Sequence, residues 1–553
     1  MKRVKSVKSI IALLVIVATI MFYFVSVINS SINFPIYDDY EAILLFLVNF
    51  EKANTVFSKC GVIFKQHNEH RIIFGKMVAL GYHAIFGLIN FVHLIIIGNA
   101  ALIGILVVLY KSFKIESIAK RLIILIPITI FLFNFKYTEV SCWAMASLQN
   151  IWVLLFAFVS FYFLFNDKKQ SVVWAIVFAT IATFTSGNGL LVFFTGIIVL
   201  LLKQEKRKTI IVFSIALILN AIVYFVGLQK IGKHPSLMAS FIAHPLDLFL
   251  YPMNFIGVLF FEHTTTVGII IGALVLLGIT FIFYKKLYQA NYLLFSFLVF
   301  MVLTVVVVTL SRFGFGVIQA SASRYMINAT LIYIIIGMIL MERFQSKLNY
   351  KIFIPSLLLT IIFNSSGYAV IQHQKEIVNS ALRNIDLVNK GNVAEYTLFY
   401  PGNDELPQSI LSQANSVDIF KTKKTDFTAL LSKIKFNIDT SNTRYAIDQF
   451  QKISDTTFVV TGWVLIANKN SYNTTILLSL EDSLSHSFIE LTQNKLRNDV
   501  TTIFKNENCN YDYCGFTKEI NLLKYPKGEL VVSLLMMSDG INLKIPIHKK
   551  IKI

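Results

Sequence analysis

The chain has 553 residues, 56% of them hydrophobic and only 15% charged, with a formal net charge of +19. This composition excludes an ordinary soluble domain, and many apolar runs near or above ~18 residues mark a polytopic helical membrane protein. The charge does not describe a nucleic-acid footprint: +17 lies before residue 372 and +2 after it, in short basic clusters between apolar runs.

Lys2, Arg3, Lys5 and Lys8 place the N-terminus in the cytoplasm. The first apolar run, about 10–29, has no small-x-small cleavage site after it and reads as an uncleaved first span. A long segment to about residue 87 follows. It holds FPIYDDY with Asp38 and Asp39, the run QHNEHR (66–71), and IIFGKMVALGYHAIFG, where Lys76 and His83 interrupt an apolar stretch. That last piece is predicted to be amphipathic and to lie at the interface. Ten further spans are predicted at about 88–110, 121–136, 151–165, 171–185, 189–202, 209–227, 266–284, 292–310, 327–341 and 352–371. With eleven spans, the basic loops KSFKIESIAKR, NDKK, KQEKRK, Lys285–Lys286 and ERFQSK all fall on the cytoplasmic side. If the piece at 72–87 crossed the bilayer, every later loop would change sides.

The outer loops carry a different set of polar residues: Asp38, Asp39, Glu69, His70, Arg71, Glu139, Trp143, Gln149, Asn150, Asn188, His234, Asp247, Glu262, His263, Arg312, Arg324 and, beside it, Tyr325. Singly, each has a plain explanation. SGNG (186–189) reads as a tight turn between spans, and a lone histidine is most often packed or surface-exposed. Their coincidence at one membrane face points to a site there. Arginine forks bind phosphate, and a carboxylate can deprotonate an attacking hydroxyl. The chemistry suits transfer from an anionic, lipid-linked donor held at the membrane boundary. Asp38, Asp39 and Glu69 could also supply oxygen ligands to a divalent metal, but nothing in the pattern demands one, and no obligatory metal or cofactor is expected.

This layout resembles the GT-C superfamily of integral-membrane glycosyltransferases. FPIYDDY matches the acidic motif that follows the first span in that fold. QHNEHR, EVSCWAMASLQN, TFTSGNGLLVF and SRFGFGVIQASASRY are similar to segments of its bacterial surface-polysaccharide members, and the plan is shared with serotype-converting O-antigen glucosyltransferases. The resemblance covers about residues 1–371. It implies a hexosyltransferase using a polyprenyl-phosphate sugar donor and a glycan or lipid-linked glycan acceptor. The resemblance puts the catalytic base at Asp38 or Asp39, with Asp39 slightly favoured; Glu69, His70 and Arg71 orient the base or the acceptor. By charge and side, Arg312 and Arg324 are assigned to the donor phosphate. A donor synthase and a flippase are expected partners.

The tail divides into a connecting module (372–436), beginning with a helix over 372–391, and a β-sandwich (437–553). Alternating stretches such as TTFVVTGWVLIAN and GELVVSLLMMSDG support the second assignment. GWV, RNDV and CGFTKEI look like features of sandwich modules attached to sugar-processing enzymes. Trp463 reads either as a core residue or as a sugar-stacking platform. Cys509 and Cys514 read either as a small disulfide loop or as two free thiols. Lys-, Ile- and Asn-rich usage suggests a bacterial plasma-membrane protein with its tail outside. A lipid-sugar flippase is the first alternative, although mid-span polar residues and paired half-repeats are missing. A polysaccharide polymerase or ligase shares the arginine-rich outer loops.

Overall fold

The computed structural model describes residues 7–115, 117–165, 170–205, 207–229, 237–260, 265–343, 354–371, 374, 405–421, 434–438, 441–471, 474–484, 486–507, 509–538 and 541–553. The chain forms two compact units. One, helical, comprises residues 1–372 with 410–420; the other comprises 373–409 with 421–553.

The helical unit begins with α1 (Val7–Asn29). A single π-helical turn, Tyr40–Leu45, then leads into α2 (Phe46–Lys52), followed by α3 (Val56–Phe64) and α4 (Ile73–Phe86). Next come α5 (Phe91–Ser112), α6 (Ile118–Leu132), the short α7 (Thr138–Ser141) and α8 (Ala144–Leu164). The chain continues through α9 (Ser171–Thr183), α10 (Leu191–Leu202), α11 (Arg207–Phe225), α12 (Leu237–Ala243) and α13 (Asp247–Gly257). It closes with α14 (Thr265–Tyr284), α15 (Tyr292–Arg312), α16 (Ser323–Arg343), α17 (Ile354–Ile371) and the part of α18 (Glu405–Ser416) from residue 410 onward.

All eleven expected spans coincide with helices, and eight are long and apolar enough to cross a membrane: α1, α5, α8, α11, α14, α15, α16 and α17. The other three are shorter. Helix α6 has 15 residues and carries Pro127 inside it, α9 has 13 and α10 has 12. At 1.5 Å per residue, α6 spans about 22 Å against a hydrocarbon core of about 30 Å. Helix α4, expected at the interface, has 14 residues, within the range of these three.

Burial sorts these helices. Of the best 18-residue windows, 72% is buried in α8 and 67% in α16, but only 17% in α14 and α17. So α8 and α16 make the centre of the unit, and the outer helices present apolar side chains on their free faces. Helix α8 packs against α5 and α9, and α15 against α16. At the centre, the Tyr23 hydroxyl donates to Asn99 Oδ1 (2.7 Å), while Asn99 Nδ2 donates to the carbonyls of Ile95 and Ser141. This fixes α1, α5 and α7 together, since a buried amide must be paired.

Lys76, which interrupts the apolar pattern of α4, is buried for a structural reason. Its ammonium donates to the carbonyls of Val62, Ile63 and Lys65 (3.3, 3.2 and 2.6 Å), the open end of α3. Burial lowers its pKa to about 8.

Most of the connecting module expected over 372–436 lies outside the described residues. Residues 410–420 pack on the helical unit: Ile89 N donates to Ile419 O (2.8 Å), Lys52 Nζ donates to Gln413 Oε1 (2.8 Å), and the Phe420 ring meets Phe34 and Phe91. Buried Ile419 and Phe420 supply the apolar anchor that a free connector would lack. The helix expected over 372–391 lies outside the described residues.

Among the described residues, the second unit holds eight strands: β1 (Thr443–Lys452), β2 (Thr457–Ile466), β3 (Thr475–Glu481), β4 (Ser487–Leu491), β5 (Gln493–Lys495), β6 (Gly515–Asn521), β7 (Glu529–Ser538) and β8 (Ile541–Lys552). They form two antiparallel sheets in the orders β1-β2-β6-β5 and β4-β3-β7-β8. Alternate side chains of both, among them Val460, Val464, Leu478, Phe516, Leu534 and Ile545, share one hydrophobic core. Trp463 points to the other face of β2, where it packs with Leu465, Val500, Tyr511, Cys514 and Phe504, so it is a core residue of a smaller cluster. Cys509 and Cys514 are free thiols, and burial pushes Cys514 up to about 12. Arg497 of RNDV is likewise structural, forking onto Asp499 and bonding Asp448.

Candidate functional site

The acidic motif sits on the turn between α1 and the π-turn, where Tyr37 adopts a left-handed φ of 49°. The two aspartates that follow have different surroundings. Asp39 is 1% exposed. Its Oδ1 accepts from Met145 N (2.8 Å) in the first turn of α8, and its Oδ2 accepts from Ile36 N (3.3 Å). The carboxyl therefore caps the N-terminus of the central helix from another part of the chain, where free N–H groups and the helix dipole favour an acceptor. Burial raises its pKa to about 8; the N–H groups of Met145 and Ile36 pull the other way.

Asp38 is half-buried and faces other side chains. Burial raises its pKa; a hydrogen bond from Asn68 and the charge of Arg324 lower it, and Glu69 raises it. The sequence reading slightly favoured Asp39. The structure gives the open position to Asp38 and makes Asp39 a cap.

The run QHNEHR forms a hairpin turn. His67 and His70 exchange both backbone hydrogen bonds (2.9 Å each), with Asn68 and Glu69 at the tip and Asn68 at a φ of 46°. Asparagine tolerates that left-handed position better than most residues. Gln66 anchors the turn by bonding the backbone of Gln229 on both sides (2.7 Å each). The tip thus carries Asn68 and Glu69 to Asp38. Glu69 also lies 3.7 Å from Arg312 at the end of α15.

Arg71 does not join them. Its Nε donates to Tyr224 O (2.8 Å), and its two terminal nitrogens donate to Phe64 O and Val226 O. Its guanidinium holds the carbonyl ends of α3 and α11, and it is 7% exposed. The expectation that it orients a base or an acceptor is corrected, because its donor fork is spent on backbone.

Arg324 lies at the start of α16, with its guanidinium over the Tyr325 ring (5.4 Å). Glu139 Oε2 accepts from Arg324 N (3.3 Å), which caps α16 from α7. Tyr325 belongs to a chain that sequence reasoning missed: Tyr251 donates to Gln319 Oε1, and Gln319 Nε2 donates to Tyr325 Oη (3.3 Å). Both Arg312 and Arg324 act electrostatically on Tyr251. No local signal marked Tyr251, because α13 also carries Asp247 and Asn254 and a further polar group there does not stand out.

Trp143 packs edge-on against Tyr37 (5.2 Å), and its side chain also acts on the Asp39 carboxyl. Gln149 donates to Ser186 Oγ (3.2 Å) and borders a cavity of about 10 Å³ with Ile72 and Thr185, room for about one water. Asn188 lies on a 3-10 turn, Gly187–Leu190, rather than in a plain tight turn. Asn150 bonds its own helix at Ala146 O, and Asp247 lies 3.9 Å from His244. His234, Glu262 and His263 lie outside the described residues.

Asp38, Glu69, Arg312 and Arg324 therefore meet at one end of the helical unit, joined by Asn68, His70 and Tyr251. The set pairs a carboxylate poised to accept a proton with two cations able to hold an anion. Among the described residues no group of three or more His, Cys, Asp or Glu is arranged to hold a metal ion. No protein-family model matches the chain, and no curated protein matches it in sequence.

Proposed function

We propose that the chain is an integral-membrane glycosyltransferase of the GT-C type. It moves a sugar from a polyprenyl-phosphate donor to a cell-surface or lipid-linked glycan at the extracytoplasmic face. The observation that carries this reading is the half-buried Asp38 carboxyl, set between Arg324 and the Glu69–Arg312 pair. In this mechanism Asp38 takes the proton of the acceptor hydroxyl as its oxygen bonds to the sugar. The bond from sugar to phosphate breaks, and polyprenyl phosphate leaves with the electron pair. Arg312 and Arg324 hold the charge that collects on that phosphate. Glu69 fixes Arg312, and Asp39 fixes α8 beneath the turn that carries Asp38.

The finer topology belongs to the same proposal. It has eleven crossings, the N-terminus in the cytoplasm, and the two-sheet unit outside as a β-sandwich. The three short helices α6, α9 and α10 would then cross a locally thinned or partly protein-filled path. The donor is made inside and delivered by a flippase.

The test compares surface glycans by mass in cells lacking the protein and in cells restored with Asp38→Asn or with Asp39→Asn. The proposal expects one hexose to be missing in the deletion and still missing with Asp38→Asn, made at normal protein level. An unchanged glycan together with carrier lipid accumulating on the inner leaflet would replace the proposal with a flippase.

A further inference from the structure

We infer, resting on the transferase reading, that Tyr251 and Gln319 are positioning residues for the anion site: with α13 as anchor they clamp the turn that joins Arg312 to Arg324 and fix the direction of the Arg324 guanidinium. Arg312 ends α15 and Arg324 lies in the first turn of α16. Between them run two 3-10 turns, Phe313–Phe315 and Val317–Ser321, joined at Gly316. Gly316 adopts a φ of 89°, which a glycine takes without strain. Such turns are short and make poorer hydrogen bonds than an α-helix, so their shape depends on outside partners.

Helix α13 supplies those partners. Asn254 Nδ2 donates to Val317 O (3.0 Å) and to Ser321 Oγ (3.1 Å), the two ends of the second turn. Tyr251, three residues earlier and so on the same face of α13, donates to Gln319 Oε1 between them. Tyr251 and Asn254 are both 0% exposed, so water does not compete for these bonds. Helix α14 braces α13 from behind with backbone against backbone. A methyl group at Gly257 would overlap the Gly268 carbonyl, and one at Gly272 the Met253 carbonyl.

The clamp reaches Arg324 through Tyr325. Gln319 Nε2 donates to Tyr325 Oη (3.3 Å), and the Phe255 ring packs on the Tyr325 ring (5.1 Å). The Arg324 guanidinium lies over that ring (5.4 Å) and hydrogen-bonds to its oxygen. An arginine side chain has many rotamers, and a ring held at its hydroxyl and on its face removes much of that freedom before an anion arrives. Glu139 Oε2 accepts from Arg324 N (3.3 Å), and Ser323 Oγ donates to Lys136 O (2.8 Å). Those bonds hold the Arg324 backbone, and the chain from α13 holds its guanidinium. Arg312 is fixed separately, by Glu69 at 3.7 Å. Charge placed in advance needs no reorganisation when the phosphate binds or when its charge grows.

The test uses full-length protein in nanodiscs and two probes, tritiated farnesyl phosphate and tritiated farnesol, with binding to empty nanodiscs subtracted. The wild type should hold farnesyl phosphate more tightly than farnesol. Arg324→Ala should weaken farnesyl phosphate by about tenfold or more, the share of a charge-assisted bond. Tyr251→Phe removes one hydroxyl and should weaken it about fivefold, the share of one neutral hydrogen bond, with farnesol unchanged. Gln319→Leu, in the half-buried turn rather than the buried helix, should do the same and answers the question if Tyr251→Phe does not fold. Neither change should add to Arg324→Ala, since both act through that one side chain, whereas each should keep its effect in Arg312→Ala.

Affinity lost in Arg324→Ala but unchanged in Tyr251→Phe and Gln319→Leu would overturn the clamp and leave the transferase reading standing. A loss that adds in full to Arg324→Ala, or that falls equally on farnesol, would make the role of Tyr251 merely structural and overturn the clamp as well. Equal binding of the two probes by the wild type, indifferent to both arginines, would overturn the phosphate site of the transferase reading, and the clamp with it.

Discussion

Replacing Asp39 should unfold the central helix junction without removing the chemistry. Asp39→Ala deletes a carboxyl that accepts Met145 N and Ile36 N in a site 1% exposed. Two buried N–H groups then lose their partner, at about 1–3 kcal/mol each, with part recovered by water entering the gap. A net loss of about 2–4 kcal/mol is expected, a shift of several degrees in the melting temperature. Titration adds a second signature. The folded pKa of Asp39, about 8, stands above the ordinary carboxylate value, so the folded state binds the proton more tightly than the unfolded state. Its contribution is complete below about pH 4 and is lost as pH rises through about 8, with a slope of at most about 1.4 kcal/mol per pH unit. Melting of purified protein in nanodiscs, followed by tryptophan fluorescence from pH 5 to 8.5, reads both effects. The wild type should lose stability across that window, and Asp39→Asn should flatten the loss. An Asp39→Ala protein that melts like wild type but transfers no sugar would refute the assignment of Asp39 as a cap.

Asp38→Asn should melt like wild type and lower transfer by about 10²–10⁴, the usual share of a general base. Since burial raises the Asp38 pKa and the base acts deprotonated, the wild-type rate should climb with pH on a limb lying above the ordinary carboxylate value; a limb that stays in Asp38→Asn would assign it to another group. Arg71→Ala leaves the carbonyls of Tyr224, Phe64 and Val226 without their donor and should lower the melting temperature, with Arg71→Lys recovering only part, because an ammonium cannot reproduce the planar fork. Maleimide labelling should proceed rapidly at exposed Cys60 and slowly at buried Cys142 and Cys514 in the folded protein; rapid labelling at Cys514 would contradict its place in the Trp463 cluster.

Part of the site was legible in the sequence because charge is rare in this chain. An aspartate pair, a Glu-His run and two arginines stand out against long apolar runs, and the structure brings Asp38, Glu69, Arg312 and Arg324 together. The division of labour within those motifs was not legible. Asp38 and Asp39 are neighbours of the same type, and what separates them is a helix N-terminus that arrives from 106 residues away. Arg71 follows Glu69 and His70 in the same run, yet its fork turns to the carbonyl ends of α3 and α11. Tyr251 and Gln319 carry no local mark, since one lies inside a short helix that also holds Asp247 and Asn254 and the other in a turn. Their chain to Tyr325 exists only because α13 lies beside the turn that precedes α16.

By itself the sequence determined the broad class, the helical segments and the alternation of the tail strands. Each follows from short-range physics: apolar runs avoid water, and periods of 3.6 and 2 bury one face. The tertiary structure alone decided which aspartate is open, which arginine is structural, where residues 410–420 attach and which helices reach full span length. Those outcomes depend on packing between residues far apart in the chain, where burial and the direction of a backbone N–H or carbonyl set the role of a side chain more strongly than its type.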